Sequence, residues 1–366
     1  MTRPLIDPFQ RVNGDWFTRN EPKIEPTTPV RTLVNAAIGV TTNRWVGNPN
    51  LDAMATAIAA HPDVLDTIGA RLLATMVGIK GCGPAIALLL ERGVPFEMDM
   101  GVYNQMHEGA WCGAVDTLLV LFEAGVADAT PVSVEKPHLG WPSNISLMYW
   151  AAFRGDVELT KVLLRYGVGK HHELEMGSNG EHGATVLQET CAPPKVGSRE
   201  DHLEVAHLLI DDGAYYDIGS ACAMNDLTRV RTLLDDDPQV ANTPLQFNMT
   251  PLHWAARTDA VDAVKLLLDK GVDVNALTNA HRTALQLAAE TDASASIALL
   301  AKAGADLNTQ DKKGRTPLHR ATYEGKVAAA EALLEHGADP TVTNKSGKTA
   351  FQIARKEAKF FKTEAT

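Results

Sequence analysis

The stretch Thr316-Pro317-Leu318-His319-Arg320-Ala321-Thr322-Tyr323-Glu324-Gly325 packs a helix start, a small-residue surface and a turn into one phrase. Proline directly after Thr316 suits the first turn of a helix, where its missing N–H is not needed. The small pair Ala321-Thr322 lets a second helix approach closely, and Gly325 permits a tight turn. A second helix then carries Ala332-Leu333-Leu334 and stops at Gly337, a normal helix C-terminus. The polar turn Asn344-Lys345-Ser346-Gly347-Lys348 follows. The same opening recurs at Thr250 (Thr-Pro-Leu-His), Thr283 (Thr-Ala-Leu-Gln) and Thr349 (Thr-Ala-Phe-Gln), always 33 residues apart. A fixed period of this length means one supersecondary unit stacked on copies of itself, each burying its apolar face against its neighbours.

The unit resembles the ankyrin repeat. The resemblance rests on the Thr-Pro-Leu-His opening, on the Gly-Ala-Asp stretch at 337–339, and on Asp-Val-Asn-Ala (273–276) and Asp-Leu-Asn-Thr (306–309), which follow Gly271 and Gly304 at matching offsets. It implies an all-α solenoid of helix-turn-helix units joined by short hairpin loops, with irregular central insertions. It also implies a concave groove that recognises a protein partner without catalysis. His253 and His319 look like the family's framework histidine, which bonds to loop backbone.

The pattern extends upstream with more noise. Units are read at 217–240, 184–214, 146–168 (inter-helix Gly155), 104–126 (Gly113), 72–94 (Gly81) and, most loosely, 31–66. The organisation expected is an extended N-terminal arm at 1–30, divergent repeats at 31–145, repeats with long insertions at 146–214, and regular repeats at 215–366 ending in a capping helix near 349–361.

Bulk properties narrow the function. A net charge of -11 argues against a nucleic-acid partner, which needs a basic surface. No apolar run is long enough to span a membrane or serve as a signal peptide. The cysteines at 82, 112, 191 and 222 follow no paired spacing, so free thiols in a reducing cytoplasm are expected. No cofactor motif is present: Gly81-Cys82-Gly83-Pro84 reads as a helix-helix turn rather than a phosphate cradle.

Function is expected where the repeat breaks. Spacing between equivalent glycines is 33 for Gly271, Gly304 and Gly337, but 42 from Gly125 to Gly167 and 46 from Gly167 to Gly213. The extra residues fall at 127–145, 169–183 and 192–201, and solenoid insertions project from one face, often the binding face. They carry His138, Trp141, His171, His172 and His182. The three histidines of the second insertion are weak metal candidates, because their spacing matches no helical zinc motif. His202 and His207, five apart, fall on different helix faces.

The second break is chemical. The position before the small pair is apolar in Trp254 and Leu287, yet Glu108, Trp150 and Glu189 occupy it in the irregular units. A carboxylate there is costly to bury unless paired, and burial would raise its pKa toward acid–base duty. His107 and Gln188 adjoin the two glutamates at the framework position. The third break is aromatic. The groove positions after the small pair hold Trp111-Cys112 and Phe153-Arg154, beside Tyr149 and Trp150, a composition typical of binding hot spots. Two functions follow. The first is recognition of a protein partner through Trp111, Cys112, Trp141, Tyr149, Trp150, Phe153, Arg154 and Gln188, centred on 104–214. The alternative is a small-molecule enzyme (lyase, isomerase or hydrolase) with Glu108 and Glu189 as acid and base and His107 beside them, needing no cofactor.

Overall fold

The computed structural model describes residues 27–39, 45–96, 100–125, 147–167, 185–192 and 196–354, and the side chains of these except residues 100–104 and 189. The described residues form helices and turns without a β-strand, apart from isolated bridges between Val46 and Lys80 and between Thr343 and Thr349. Between His172 and Glu173 the chain divides into two compact units.

The second unit holds the regular repeats. Its helices are α9 (Val186–Cys191), α10 (Arg199–Asp211), α11 (Ile218–Ala223), α12 (Leu227–Asp236), α13 (Pro251–Arg257), α14 (Val261–Asp269), α15 (Ala284–Thr291), α16 (Ser294–Lys302), α17 (Pro317–Tyr323) and α18 (Val327–Glu335). The first helices of the pairs pack in the order α9, α11, α13, α15, α17, and the second helices α12, α14, α16 and α18 do likewise. The small pairs Ala255-Ala256 and Ala288-Ala289 lie wholly inside this stack, with Leu285, Leu300 and Leu333 beside them. Each such leucine contributes about 2 kcal/mol through apolar area removed from water.

The recurring Thr opening is a reciprocal cap. Thr283 Oγ1 accepts the Gln286 N–H at 3.3 Å, and Gln286 Oε1 accepts the Thr283 N–H at 3.1 Å. Thr316 and His319 repeat the arrangement, as do Thr349 and Gln352. At the far side the same side chains tie to the loop that follows: His253 Nε2 lies 3.1 Å from the Arg282 carbonyl and His319 Nε2 2.9 Å from that of Lys348. Gln286 Nε2 donates to the carbonyls of Thr309 (2.9 Å) and Arg315 (2.8 Å). The framework role expected of His253 and His319 is therefore present.

Two further ladders join the repeats. The turn between paired helices is left-handed at Asn225, Asp259 and Asp292, with φ of 59°, 54° and 66°. Their Oδ1 atoms accept the backbone N–H of Ala263 (2.9 Å), Ser296 (2.8 Å) and Ala329 (2.7 Å), near the N-terminus of the next repeat's second helix. There an acceptor meets otherwise unpaired donors and the positive end of the helix dipole. In the loops, Asn242, Asn275 and Asn308 accept the N–H of Asp273, Asp306 and Asp339 in the next repeat.

The first unit comprises α1 (Thr28–Ile38), α2 (Leu51–Ala60), α3 (Asp63–Met76), α4 (Gly83–Glu91), α5 (Met100–Cys112), α6 (Val115–Glu123), α7 (Leu147–Arg154) and α8 (Val157–Arg165). Alternate helices again pack in sequence: α1 on α3, α3 on α5, α5 on α7, and α4 on α6. Gly81, Gly113 and Gly155, expected between paired helices, lie there and take positive φ. Boundaries differ from the repeat frame: α3 starts at Asp63 and α5 at Met100, ahead of the unit starts at 72 and 104. Neither start carries the Thr cap that stops the regular helices. The Gly81–Pro84 turn holds an anion after all, but an internal one: the Gly81 and Gly83 N–H groups bond Asp116 Oδ2 at 3.0 and 2.9 Å.

Candidate functional site

The candidate surface stands on α5 and α7. Gly113 and Gly155 end these helices in left-handed turns (φ 73° and 64°), which brings the preceding residues of both helices to the same level. Ala110, Ala151 and Ala152 are fully buried between helices. The next residues along each chain emerge from the packed layer: Trp111 is 38% exposed, and Cys112, Phe153 and Arg154 are half-buried.

The rings form one continuous cluster. Trp111 meets Trp150 edge-on at 5.0 Å and Phe153 at 5.5 Å between centroids. Tyr149 extends it, 5.1 Å from Trp150 and 6.0 Å from Phe153. Edge-to-face and tilted contacts at these separations are attractive. Trp150 is buried and anchors the cluster, its indole N–H donating to His107 Nδ1 at 3.1 Å. Arg154 spans the helices, Nη1 donating to the Trp111 carbonyl at 2.6 Å while Nε sits 4.0 Å from Asp156 Oδ2. Asp156 in turn caps α8 through the Leu159 N–H. An exposed indole is thus held on a fixed backbone and flanked by a guanidinium.

Position 107 is occupied as the repeat frame expects, but its bonding differs. Because α5 continues upstream to Met100, His107 lies within the helix rather than at its first turn. Its Nδ1 turns to the neighbouring helix instead. Burial pushes the imidazole down to about 4, so it is neutral at pH 7. Glu108 is buried, at 7% exposure, as its packing position demands. Gln188 acts as a framework residue: Oε1 accepts the Thr185 N–H, and Nε2 donates to Asp217 Oδ2 (2.6 Å) and Gln246 Oε1 (2.7 Å). Trp141, His171, His172 and His182, with His138, lie outside the described residues, as does the side chain of Glu189. Glu108 and the aromatic cluster belong to the first unit, Gln188 and Glu189 to the second. His202 is buried with Nδ1 2.8 Å from the Ser198 carbonyl, a cap contact. Among the described residues no group of three or more His, Cys, Asp or Glu is placed to hold a metal ion.

One constellation was missed by the sequence reading. Arg320 stands before the small pair of its repeat, the slot filled by Glu108 in the irregular unit. It is 6% exposed and joins Glu290 Oε1 at 2.6 Å and Asp311 Oδ2 at 2.7 Å. Arg282 holds the other Glu290 oxygen at 2.8 Å, and Arg315 shares Asp311 at 2.9 Å. The signal was available: a charge in that slot of a regular repeat, with complementary charges at neighbouring positions. Its lesson for Glu108 is that a charged side chain there can be purely structural.

Family models decide the class. Residues 218–311 match a model for ankyrin repeats (three copies), and residues 300–354 match a second model for ankyrin repeats (many copies). The C-terminal region of the chain, residues 218–354, is built of ankyrin repeats. Among curated proteins it is similar to Palmitoyltransferase AKR1 of Naumovozyma castellii, 43% identical over 56 residues. That stretch covers 15% of this chain and 7% of the relative, so the chain spans a small fraction of the relative's length. Ankyrin repeats support a protein-interaction role. No helix among the described residues is long and apolar enough to cross a membrane.

Proposed function

We propose that this protein binds a protein partner through the aromatic surface of α5 and α7, with Trp111 and Phe153 as anchors and Arg154 as the polar contact. The observation that carries the reading is Trp111, a large ring left 38% exposed while braced by Trp150 and Phe153. A preorganised indole loses little conformational freedom on binding, and Trp and Arg dominate the energetics of protein interfaces. The regular repeats offer no comparable cluster, since their equivalent positions hold Arg257-Thr258, Glu290-Thr291 and Tyr323-Glu324.

The test is affinity capture by the intact chain, quantified by mass spectrometry, for wild type, Trp111→Ala, Phe153→Ala and Lys270→Glu. Partners retained by Lys270→Glu and lost by both aromatic variants, with unchanged circular dichroism, are the expected result. Identical capture by all four proteins ends the proposal.

A further inference from the structure

The loop tips of the last repeats present a concentration of positive charge that the fold does not neutralise. The turn at 311–315 is built around Asp311, whose Oδ1 accepts the Lys313 and Arg315 N–H groups at 2.8 and 2.9 Å. The next turn uses Asn344 in the same way, accepting from Ser346 (2.9 Å) and Lys348 (3.2 Å). Asp311 is buried and Asn344 half-buried at the centre of their turns, while Lys312, Lys313, Lys345 and Lys348 are all exposed.

The two turns are fastened together. The Lys345 N–H donates to the Lys313 carbonyl at 3.2 Å, and Gln310 Nε2 bridges the Gly314 and Thr343 carbonyls at 2.9 Å each. A β-carbon on Gly314 would meet the Lys345 nitrogen at 2.7 Å, so the turns sit in close contact. Backbone bonding therefore sets the backbones of Lys313 and Lys345 side by side in adjoining turns. The acid within these turns, Asp311, is buried and shared between Arg315 and Arg320. Among the described residues no ion pair engages any of the four lysines. All this occurs on a chain of net charge -11.

We propose that the tips at 311–315 and 344–348 form a docking surface for a short acidic segment of a partner protein, separate from the aromatic surface of the first unit. Lysines whose backbone is held in hydrogen-bonded turns give charge complementarity with little ordering of the backbone on binding. The basic patch is short and the chain as a whole is acidic, which disfavours a continuous polyanion running beyond it. A cluster of glutamates or aspartates in an extended segment fits that footprint.

The experiment uses the intact chain and a fluorescein-labelled decaglutamate peptide, read by fluorescence anisotropy at 50 and 150 mM NaCl. Binding that weakens with salt, and at least tenfold further in Lys313→Glu/Lys345→Glu, is the expected result. A control variant of equal charge change, Lys265→Glu/Lys270→Glu at exposed positions on α14 and at its C-terminal cap, stays within twofold. Circular dichroism shows both variants folded. Equal losses in the two variants would reduce the effect to overall charge and overturn the proposal. So would absence of peptide binding at 50 mM NaCl, or a ten-nucleotide single-stranded DNA binding as tightly as the peptide.

Discussion

Replacing His253 with glutamine should remove part of the acid sensitivity of the regular repeats while leaving their stability at neutral pH nearly unchanged. In the native chain the imidazole is 1% exposed. Its Nδ1 accepts the Thr250 N–H at 3.1 Å and its Nε2 faces the Arg282 carbonyl at 3.1 Å, which fixes the neutral form with the proton on Nε2. Burial, outweighing the raising effect of the loop carbonyls, pushes its pKa from 6.5 to about 4. The folded pKa lies below the unfolded one, so the unfolded chain binds the proton first. Stability from this group is intact above pH 6.5 and drains away as pH falls toward 4. Between pH 7.5 and pH 5 the loss is about 2 kcal/mol. Glutamine does not titrate, and Gln286 already shows that it can make the same cap and loop bonds one repeat later. His253→Gln should stay within about 1 kcal/mol of wild type at pH 7.5 and gain about 2 kcal/mol relative to it by pH 5. Urea midpoints of the full chain across this range, followed by tryptophan emission, report the difference; His107 titrates in both proteins and cancels. Parallel pH curves for the two proteins would refute the reasoning, because they would mean that the buried imidazole does not resist protonation.

Further outcomes follow from other contacts. Arg320→Met strips Glu290 and Asp311 of one partner each while Arg282 and Arg315 remain, so a loss of about 2–3 kcal/mol in urea titration is expected, short of a fully orphaned buried charge. Asp292→Ala removes the acceptor for the Ala329 N–H and should cost about 1 kcal/mol, with faster amide exchange concentrated at the start of α18. Thiol labelling of the native chain should proceed first at half-buried Cys112. Cys191, whose thiol burial pushes up to about 12, should label only after unfolding, and Cys112→Ser should abolish the fast phase. Trp111→Ala should leave the melting temperature within a few degrees of wild type, since the ring is partly in water already.

The regular repeats were legible because their determinants are local. Thr, the framework His or Gln, and the small pair all lie within one turn or two of helix, so spacing alone placed them. The inter-repeat joints were not legible in the same way. Aligning on Gly325, Gly155 and Gly113 hid the fact that Asn225, Asp259 and Asp292 take the same left-handed turn and add a bond to the next repeat. The Arg320 network escaped because Glu290 and Asp311 lie 30 and 9 positions away, beyond any short-range pattern. In the first unit, register placed Trp111 and Phe153 after the small residues, and they do emerge there. What register could not supply was the Trp150–His107 bond, which depends on a helix running four residues further upstream than the frame allowed, to Met100.

The ladders of the second unit have a consequence for how such a chain can change length. Asn242, Asn275 and Asn308 present the same acceptor to the same donor at successive seams, as do Asn225, Asp259 and Asp292. A deletion in phase with the period, removing one whole unit, therefore rejoins surfaces that already match, whereas a cut of any other length leaves mismatched edges. Gain and loss of binding surface can then proceed in whole modules, because the joining groups recur even where the rest of each repeat differs.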